Sequence, residues 1–204
     1  QRDRLVIVVL DRQHYGKPDR DDKGAQVEHD GRTIYEIDLT AIYIEHATSL
    51  LVAEGHTVHV LDSGWYAERN DRGSEIARQT PGEPVAYIAC HVNAGGNGAA
   101  YGLTLHDERS TGGRMLAESV ADALGGATAG ILDRSIVRPC SRGGDWGAAF
   151  STIAGIYDGP VNISGVCFEP FFIDSPAHAQ LLTDDGLRLI GQALAVGCMS
   201  WAGG

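Results

Sequence analysis

Residues 5–10 read LVIVVL, a continuous run of apolar side chains that decides the predicted fold class of this chain. Such a run, without alternating polar residues, is typical of a strand that helices bury on both faces. Residues 85–90 and 161–168 form two more runs of this kind, and residues 36–53 repeat apolar side chains at helical spacing. This alternation predicts an α/β fold, a three-layer α/β/α domain with a largely parallel, twisted sheet.

Turn residues and periodicity predict the remaining elements. They indicate a polar loop over 15–33, a strand over 57–61, a short helix over 72–78, a strand over 102–106, a helix over 113–124, an extended segment over 131–137, a Gly-rich, Trp-bearing stretch after it and a final helix over 176–199. Repeats and interdomain linkers are lacking, so we expect residues 1–204 to form a single domain.

Four side chains lie where predicted strands end or a helix begins: His14, Glu36, His91 and Glu169. In an open α/β sheet these positions converge on one edge, where active sites form. Hydrolytic zinc is usually held by three protein ligands, with a separate carboxylate to move the proton. We therefore expect a metal site with its own base at the carboxyl edge of the strands. Position in the fold selects these residues, because eight histidines make counting uninformative.

Four segments, in order along the chain, resemble the motifs of zinc-dependent N-acetylmuramoyl-L-alanine amidases of the amidase_3 type. The segments are LVIVVLDRQHYG over 5–16 with Gly24-Ala25 after it, the helix that Glu36 begins, ACHVNA over 89–94, and VCFEPFFIDSP over 166–176. The resemblance extends from Leu5 to about Leu194.

The sequence departs from the family pattern beside two of the key residues. Gln13 and Tyr15 stand where glycines usually flank the first ligand. Phe171 replaces a glycine after the catalytic glutamate, and Asp174-Ser175 replace Ser-Asn. These departures leave the ligands intact but put the shape of the pocket, and hence the substrate, in question.

The resemblance implies that His14, Glu36 and His91 bind Zn²⁺ and that Glu169 is the catalytic residue. The implied reaction is hydrolysis of the amide that joins N-acetylmuramic acid to L-alanine in peptidoglycan. Water would attack the polarised carbonyl, and Glu169 would pass the proton on.

Further residues are candidates for supporting roles. Asp11 and Asn93 are expected to accept the second ring N–H of the metal-binding histidines. Arg138, Arg142 and Trp146 could contact sugar or stem peptide, or belong to an ordinary surface loop. The main rival of Glu36 is Glu28, and the remaining six histidines are assigned to solvent or structural roles: His29, His46, His56, His59, His106 and His178.

Composition excludes several classes of partner. The net charge of −11 argues against nucleic acid, since phosphate binding needs clustered Lys and Arg. No apolar run approaches the roughly 18 residues that a membrane span needs. The four cysteines match no zinc motif and are expected to be buried and free, with a disulfide at Cys140 as the alternative.

Three functions compete at this stage. The leading one is a peptidoglycan amidase that acts at the bacterial cell wall, either a phage endolysin or an exported cell-wall hydrolase. The lack of a leader and of a wall-binding module in these residues favours the phage enzyme without deciding the origin. The alternatives are a zinc amidohydrolase or carboxypeptidase for a smaller peptide or acyl amino acid, and a wall-binding domain without turnover.

Overall fold

A computed structural model describes residues 5–19, 21–96 and 98–203. The elements in these residues are, in chain order, β1 Ile7–Arg12, β2 Gln26–His29, β3 Arg32–Tyr35, α1 Glu36–Ala53, β4 Thr57–Leu61, α2 Tyr66–Gln79, β5 Val85–Cys90, β6 Tyr101–Asp107, α3 Thr111–Ala127, β7 Arg134–Cys140, α4 Gly147–Tyr157, β8 Ile163–Glu169, a 3₁₀ helix Pro176–Leu182 and α5 Asp184–Gly203.

The central sheet has six strands in the order β4-β1-β5-β8-β6-β7. Neighbouring strands are parallel except β6 and β8, which are antiparallel. Because β1, β5 and β8 are adjacent and parallel, their carboxyl ends lie side by side at one edge. The predicted largely parallel sheet is confirmed.

Helices cover both faces of this sheet. Helices α1, α3 and α5 bury apolar side chains against one face, where they meet Val8 and Leu10 of β1. Helices α2 and α4 pack on the other face, against Ile7 and Val9 of the same strand. The three-layer α/β/α prediction is therefore confirmed. It also explains the unbroken apolar run of β1, since alternate side chains enter two different cores.

The predicted loop over 15–33 is wrong in its second half, where β2 and β3 form a separate antiparallel hairpin. Asp30 and Gly31 have φ angles of 50° and 73°, as a two-residue hairpin turn of type I′ requires. Val27 and Ile34 pair across the strands and pack against the core. The Asp-Gly signal was present in the sequence, but two apolar residues were too few to mark the strands.

Two helices also differ from the predictions, and a third was missed. The predicted helix over 72–78 is the second half of α2, which begins at Tyr66. The predicted final helix is broken at Thr183, whose backbone is extended and whose hydroxyl accepts a hydrogen bond from the amide of Gly186 at 3.2 Å. Helix α4 lies in the stretch predicted to be irregular, because glycines lie on both sides of its apolar residues Phe150 and Ile153.

All four cysteines are buried and free, as predicted. The alternative of a disulfide at Cys140 is wrong, because this residue ends β7 and its thiol donates to the carbonyl of His106 at 3.2 Å. Among the described helices, none combines the length and the apolar character needed to span a membrane.

Candidate metal centre

Adjacent strands deliver three of the four predicted site residues to one edge of the sheet. His14 lies in the turn after β1, His91 directly follows β5, and Glu169 is the last residue of β8. Glu36 reaches the same edge from the first turn of α1. The expected convergence at the carboxyl ends of the strands is thus observed.

One carboxylate oxygen of Glu36 joins the two histidines. Its Oε1 lies 2.9 Å from Nδ1 of His91 and 3.4 Å from Nε2 of His14. Each of the three residues offers one potential ligand atom, and these atoms all lie within 4.8 Å of one another. Two ring nitrogens and a carboxylate oxygen at this spacing form a donor set that suits zinc.

The backbone around Glu36 holds its carboxylate in place. The amide of Val92 donates to Oε1 at 3.0 Å, and the amide of Ala25 donates to Oε2 at 2.8 Å. The amides that begin α1 are satisfied by the same loop, because Glu36 N donates to the carbonyl of Ala25 at 2.8 Å. The start of the helix and the position of the carboxylate are therefore fixed together.

Charge within the cluster offsets the cost of burial. Burial by itself would raise the pKa of Glu36, but the hydrogen bonds and charges of His14 and His91 outweigh it and hold that pKa well below its usual range. Burial would lower the pKa of His14, but Glu36 and Asp22 outweigh it and raise the pKa above its ordinary value. The metal-free centre thus stabilises a carboxylate beside a protonated imidazole.

Asp22 is the carboxylate that accompanies His14, and the sequence analysis missed it. Its Oδ1 lies 3.0 Å from Nδ1 of His14, on the ring edge opposite the nitrogen that faces Glu36. Lys17 Nζ lies 2.5 Å from the other oxygen of Asp22, and the amide of Gly24 donates to Oδ1 at 3.1 Å. The position depends on the path of an irregular loop, so no periodic signal could have found it.

The expected role of Asp11 beside His14 is wrong. Asp11 belongs to the face of β1 that meets α2, and there it pairs with the buried Arg69 at 2.6 Å and accepts from Tyr87 at 2.5 Å. The side chain of Gln13 also donates to it. Its oxygens are thereby occupied by partners other than the histidine.

Arg69 instead holds the turn that carries His14. Its guanidinium donates to the carbonyl of Arg12 at 2.6 Å and also to the carbonyl of Tyr15. His14 lies between these residues with a φ of 64°, in the left-handed region that few non-glycine residues adopt. The buried ion pair with Asp11 thus positions the ligand through its backbone.

Asn93 does not hydrogen-bond to either metal-site histidine in the described structure, so its expected role is also wrong. Its side-chain oxygen accepts from the amide of Ala94 at 2.8 Å, while Nδ2 is buried without a partner among the described residues. Its backbone instead bridges to Phe172, in the segment that follows Glu169.

Glu169 stands apart from the three potential ligands but lines the same cavity. Its Oε2 is buried and has no partner within the described part of the chain, and Oε1 lies 3.8 Å from the thiol of Cys167. Burial raises the pKa of Glu169, the charge of His91 opposes this rise, and the charge of Glu36 adds to it, so that the pKa lies above its ordinary value. A carboxyl with a raised pKa and a free oxygen is suited to take up and release a proton.

The cavity has a volume of about 300 Å³ and is walled by residues of several elements. Besides the four site residues its lining includes Ala25, Tyr66, Asn93, Ala148, Ala149 and Thr152. Part of the wall therefore comes from α4, the helix that the sequence analysis did not predict.

The three predicted substrate contacts are not among the residues that line this cavity. Arg138 is exposed on β7, which is one of the two edge strands of the sheet. Arg142 is exposed and lines separate depressions beside Phe150, and Trp146 precedes α4 and packs on the core. Trp146 is nevertheless only two residues before Ala148, which does line the cavity.

The six remaining histidines and the rival ligand Glu28 lie outside the metal centre, as expected for the histidines. His56 and His178 each accept a backbone amide, from Val6 at 3.2 Å and from Phe172 at 2.9 Å. The rival ligand Glu28 is exposed on the hairpin, where it accepts from the hydroxyl of Thr33. Glu36 is therefore the carboxylate that the fold brings to the histidines.

Comparison with known proteins identifies the fold. No protein-family model and no curated protein matches the chain. Several solved structures match along nearly their whole length, and those described here are amidases. At 20% identity or less this likeness establishes the fold alone, so the chain has the fold of N-acetylmuramoyl-L-alanine amidases.

Three of these structures show how close the likeness is. The CwlD amidase from Clostridioides difficile, solved in complex with the GerS lipoprotein, has a TM-score of 0.70 and 20% identity, over 96% of this chain and 97% of that one. The amidase AmiC2 of Nostoc punctiforme has a TM-score of 0.70 and 18% identity, over 96% of each chain. The catalytic domain of the amidase CwlV from Bacillus (Paenibacillus) polymyxa var. colistinus has a TM-score of 0.67 and 20% identity, over 97% and 98%.

Proposed function

We propose that this chain is a zinc-dependent amidase that hydrolyses the bond between N-acetylmuramic acid and L-alanine in peptidoglycan. The observation that carries this proposal is the cluster of His14, Glu36 and His91 in one cavity with Glu169. Structures with this fold carry the name of that activity. We also propose that residues 1–204 act as one catalytic domain.

The buried polar atoms of the site fit a metal. In the described structure Nε2 of His91 is buried without a partner, and His91 lines the cavity. His14, Glu36 and His91 would hold zinc, which when bound supplies a Lewis acid at the scissile carbonyl. The two glutamates then have separate tasks, since the low pKa of Glu36 keeps it an anionic ligand while Glu169 can exchange protons.

Glu169 would move the proton during hydrolysis. Its free Oε2 takes a proton from the attacking water, and the oxygen of that water forms the new bond to the lactyl carbonyl carbon. Glu169 then gives the proton to the nitrogen as the C–N bond breaks. The products are the lactyl carboxylate of the sugar and a free amino terminus on L-alanine.

The proposed partner is the bacterial cell wall, where the enzyme would act as a phage lytic enzyme or as an exported hydrolase. The net charge of −11 gives no support to a nucleic-acid partner. A smaller acyl-amino-acid substrate is the alternative, because Tyr15 and Gln13 replace glycines beside the first proposed ligand.

A product-labelling experiment tests the proposal. Zinc-loaded protein is incubated with purified peptidoglycan, with and without a chelator, and newly formed amino termini are labelled and identified. We expect chelator-sensitive release of L-alanine amino termini. Release of other amino termini would assign the activity to a different amide bond. A zinc-loaded protein that binds walls but releases no amino termini would contradict the proposal that the chain is an enzyme.

Two variants make this experiment specific for Glu169. Glu169→Gln is expected to keep its zinc and to lose about 10²- to 10⁴-fold in rate, the usual contribution of a general acid–base group. Glu118→Gln on the exposed face of α3 is the control, and its activity should equal that of the parent. Full activity of Glu169→Gln would remove this residue from its role.

A further inference from the structure

Tyr66 begins α2 and lines the cavity of the proposed metal centre. Its hydroxyl lies 3.1 Å from Nζ of Lys17, and the centroid of its ring lies 4.7 Å from the same nitrogen. Neither residue has a task in the proton transfer described above. Neither was predicted from the sequence, because α2 begins earlier than its periodicity indicated and Lys17 lies in the irregular segment after β1.

The ammonium of Lys17 is held in one position. Its side chain is only 1% exposed, whereas lysine side chains normally extend into water. Asp22 fixes the nitrogen at 2.5 Å, and Asp22 itself lies 3.0 Å from His14. The hydroxyl of Tyr66 therefore lies against a fixed positive charge that belongs to the support of the metal centre.

This contact determines the direction of the tyrosine hydrogen. A lysine ammonium has three donors and no acceptor, so the oxygen of Tyr66 must accept the hydrogen bond from Lys17. The hydroxyl of Tyr66 must then donate elsewhere, and the hydrogen bonds of the described residues provide no acceptor for it. Accepting from a cation also polarises the O–H bond and makes it a stronger donor.

We propose that Tyr66 is a substrate-binding residue, whose hydroxyl donates a hydrogen bond to a carbonyl oxygen of the acyl-L-alanyl group bound in the cavity. Lys17 acts as a positioning residue that turns the hydroxyl hydrogen away from itself. The inference rests on the proposed amidase function, because that substrate presents carbonyl oxygens on both sides of the scissile bond. It adds a donor that the metal ligands and Glu169 do not supply.

The test measures substrate binding without turnover. In the Glu169→Gln background, the affinity of the zinc-loaded protein for a soluble muramyl-L-alanyl peptide is measured by calorimetry, and zinc affinity is measured by competition with a chelating dye. We expect Tyr66→Phe to weaken peptide binding about 10-fold, the usual effect of losing one hydrogen bond. Its zinc affinity should equal that of the parent.

Two further variants separate substrate contact from structural support. Tyr157→Phe removes the same hydroxyl from an exposed residue that lines a different cavity, and it should change neither affinity. Lys17→Met should weaken peptide binding when Tyr66 is present and should add less to the loss when residue 66 is phenylalanine. An equal effect of Lys17→Met in both backgrounds would contradict the positioning role.

The outcomes distinguish this inference from the proposed function. Equal peptide affinity in Tyr66→Phe and its parent overturns the role of Tyr66 alone. A loss of zinc affinity in Tyr66→Phe as large as its loss of peptide affinity would make the tyrosine a support for Lys17, which also overturns the inference. If the parent binds zinc but no muramyl peptide, the amidase proposal itself is wrong. The proposed contact between Tyr66 and substrate is then wrong as well.

Discussion

His14 combines the side chain of a potential ligand with a backbone that L-amino acids rarely adopt. Its φ of 64° costs roughly 1–2 kcal/mol in a residue with a Cβ. The turn persists because Arg69, which is fully buried, binds the carbonyls of Arg12 and Tyr15 on either side of it. Strain at a functional residue is thus balanced by an ion pair on the other face of the sheet.

Asp22 should determine how tightly this histidine binds metal. Asp22→Asn removes the charge beside Nδ1 of His14, so we expect zinc affinity to fall about 10- to 100-fold, as is usual for partners of metal-binding histidines. Competition with a chelating dye measures this affinity. Asp21→Asn is the matched control, because Asp21 is exposed and, among the described residues, pairs with the surface residue Lys23. Similar losses in both variants would contradict a specific role for Asp22.

The coupled histidine and glutamate predict how the stability of the metal-free protein depends on pH. The raised pKa of His14 gives stability that is complete below its ordinary value of 6.5 and is lost as pH rises through the raised pKa. The lowered pKa of Glu36 gives stability that is complete above its ordinary value of 4.5 and is lost as pH falls. The cluster therefore stabilises the metal-free fold most between these two values.

Urea unfolding without metal checks this prediction at about pH 5.5 and about pH 8. The parent should lose more stability between these pH values than His14→Gln, which lacks the titrating ring. An identical pH dependence in the two proteins would contradict the coupling.

At the scale of elements, the start of α1 depends on a residue outside the helix. Gly24 has a φ of 70°, and a Cβ at this position would lie 2.4 Å from Oε2 of Glu36. The loop can pass this close to the ligand carboxylate only because residue 24 has no side chain. The placement of Glu36 is thus a property of the loop and the helix together.

Gly24→Ala should therefore displace the carboxylate of Glu36. We expect zinc affinity to fall at least 10-fold, because the contacts that fix this proposed ligand are lost. Gly31→Ala is the matched control, because Gly31 has a φ of 73° but no atom within 4 Å of the added Cβ. Both variants should lose about 1 kcal/mol of stability from backbone strain, and only Gly24→Ala should lose metal. Zinc retention by Gly24→Ala would contradict this account.

The elements that could be predicted are those whose burial is continuous. Strand β5 and helix α1 match the sequence predictions because each has a regular apolar pattern against a core. The hairpin and α4 were missed because their apolar residues are few or separated by glycine. The potential ligands could be placed from strand ends and motifs, but Asp22 and Tyr66 depend on how the irregular segments fold back. Asp11 was misplaced because sequence proximity does not reveal which face of a strand a side chain occupies.

At the scale of the whole molecule, the acidic charge should oppose approach to anionic walls. With a net charge of −11, the protein is repelled by walls that carry teichoic acid, and salt screens this repulsion over about 10 Å at 0.1 M. We expect the initial rate on such walls to rise between about 0.01 and 0.15 M NaCl. A short soluble muramyl peptide is the control, and its cleavage should change little. A wall-lysis rate that falls with salt would indicate attraction instead.

The strand order divides the sheet into two parts, and the strands of these parts are synthesised at different times. Strands β4, β1 and β5 form one part, β6 and β7 form the other, and only β8 joins them. Because β8 is the last strand to leave the ribosome and ends in Glu169, the chain acquires its proposed base in the same event that closes the sheet. The three potential ligands are synthesised long before this event. A nascent or half-folded chain can thus present the potential ligands while it lacks the proposed proton carrier, so the proposed hydrolase would become active only as a finished molecule.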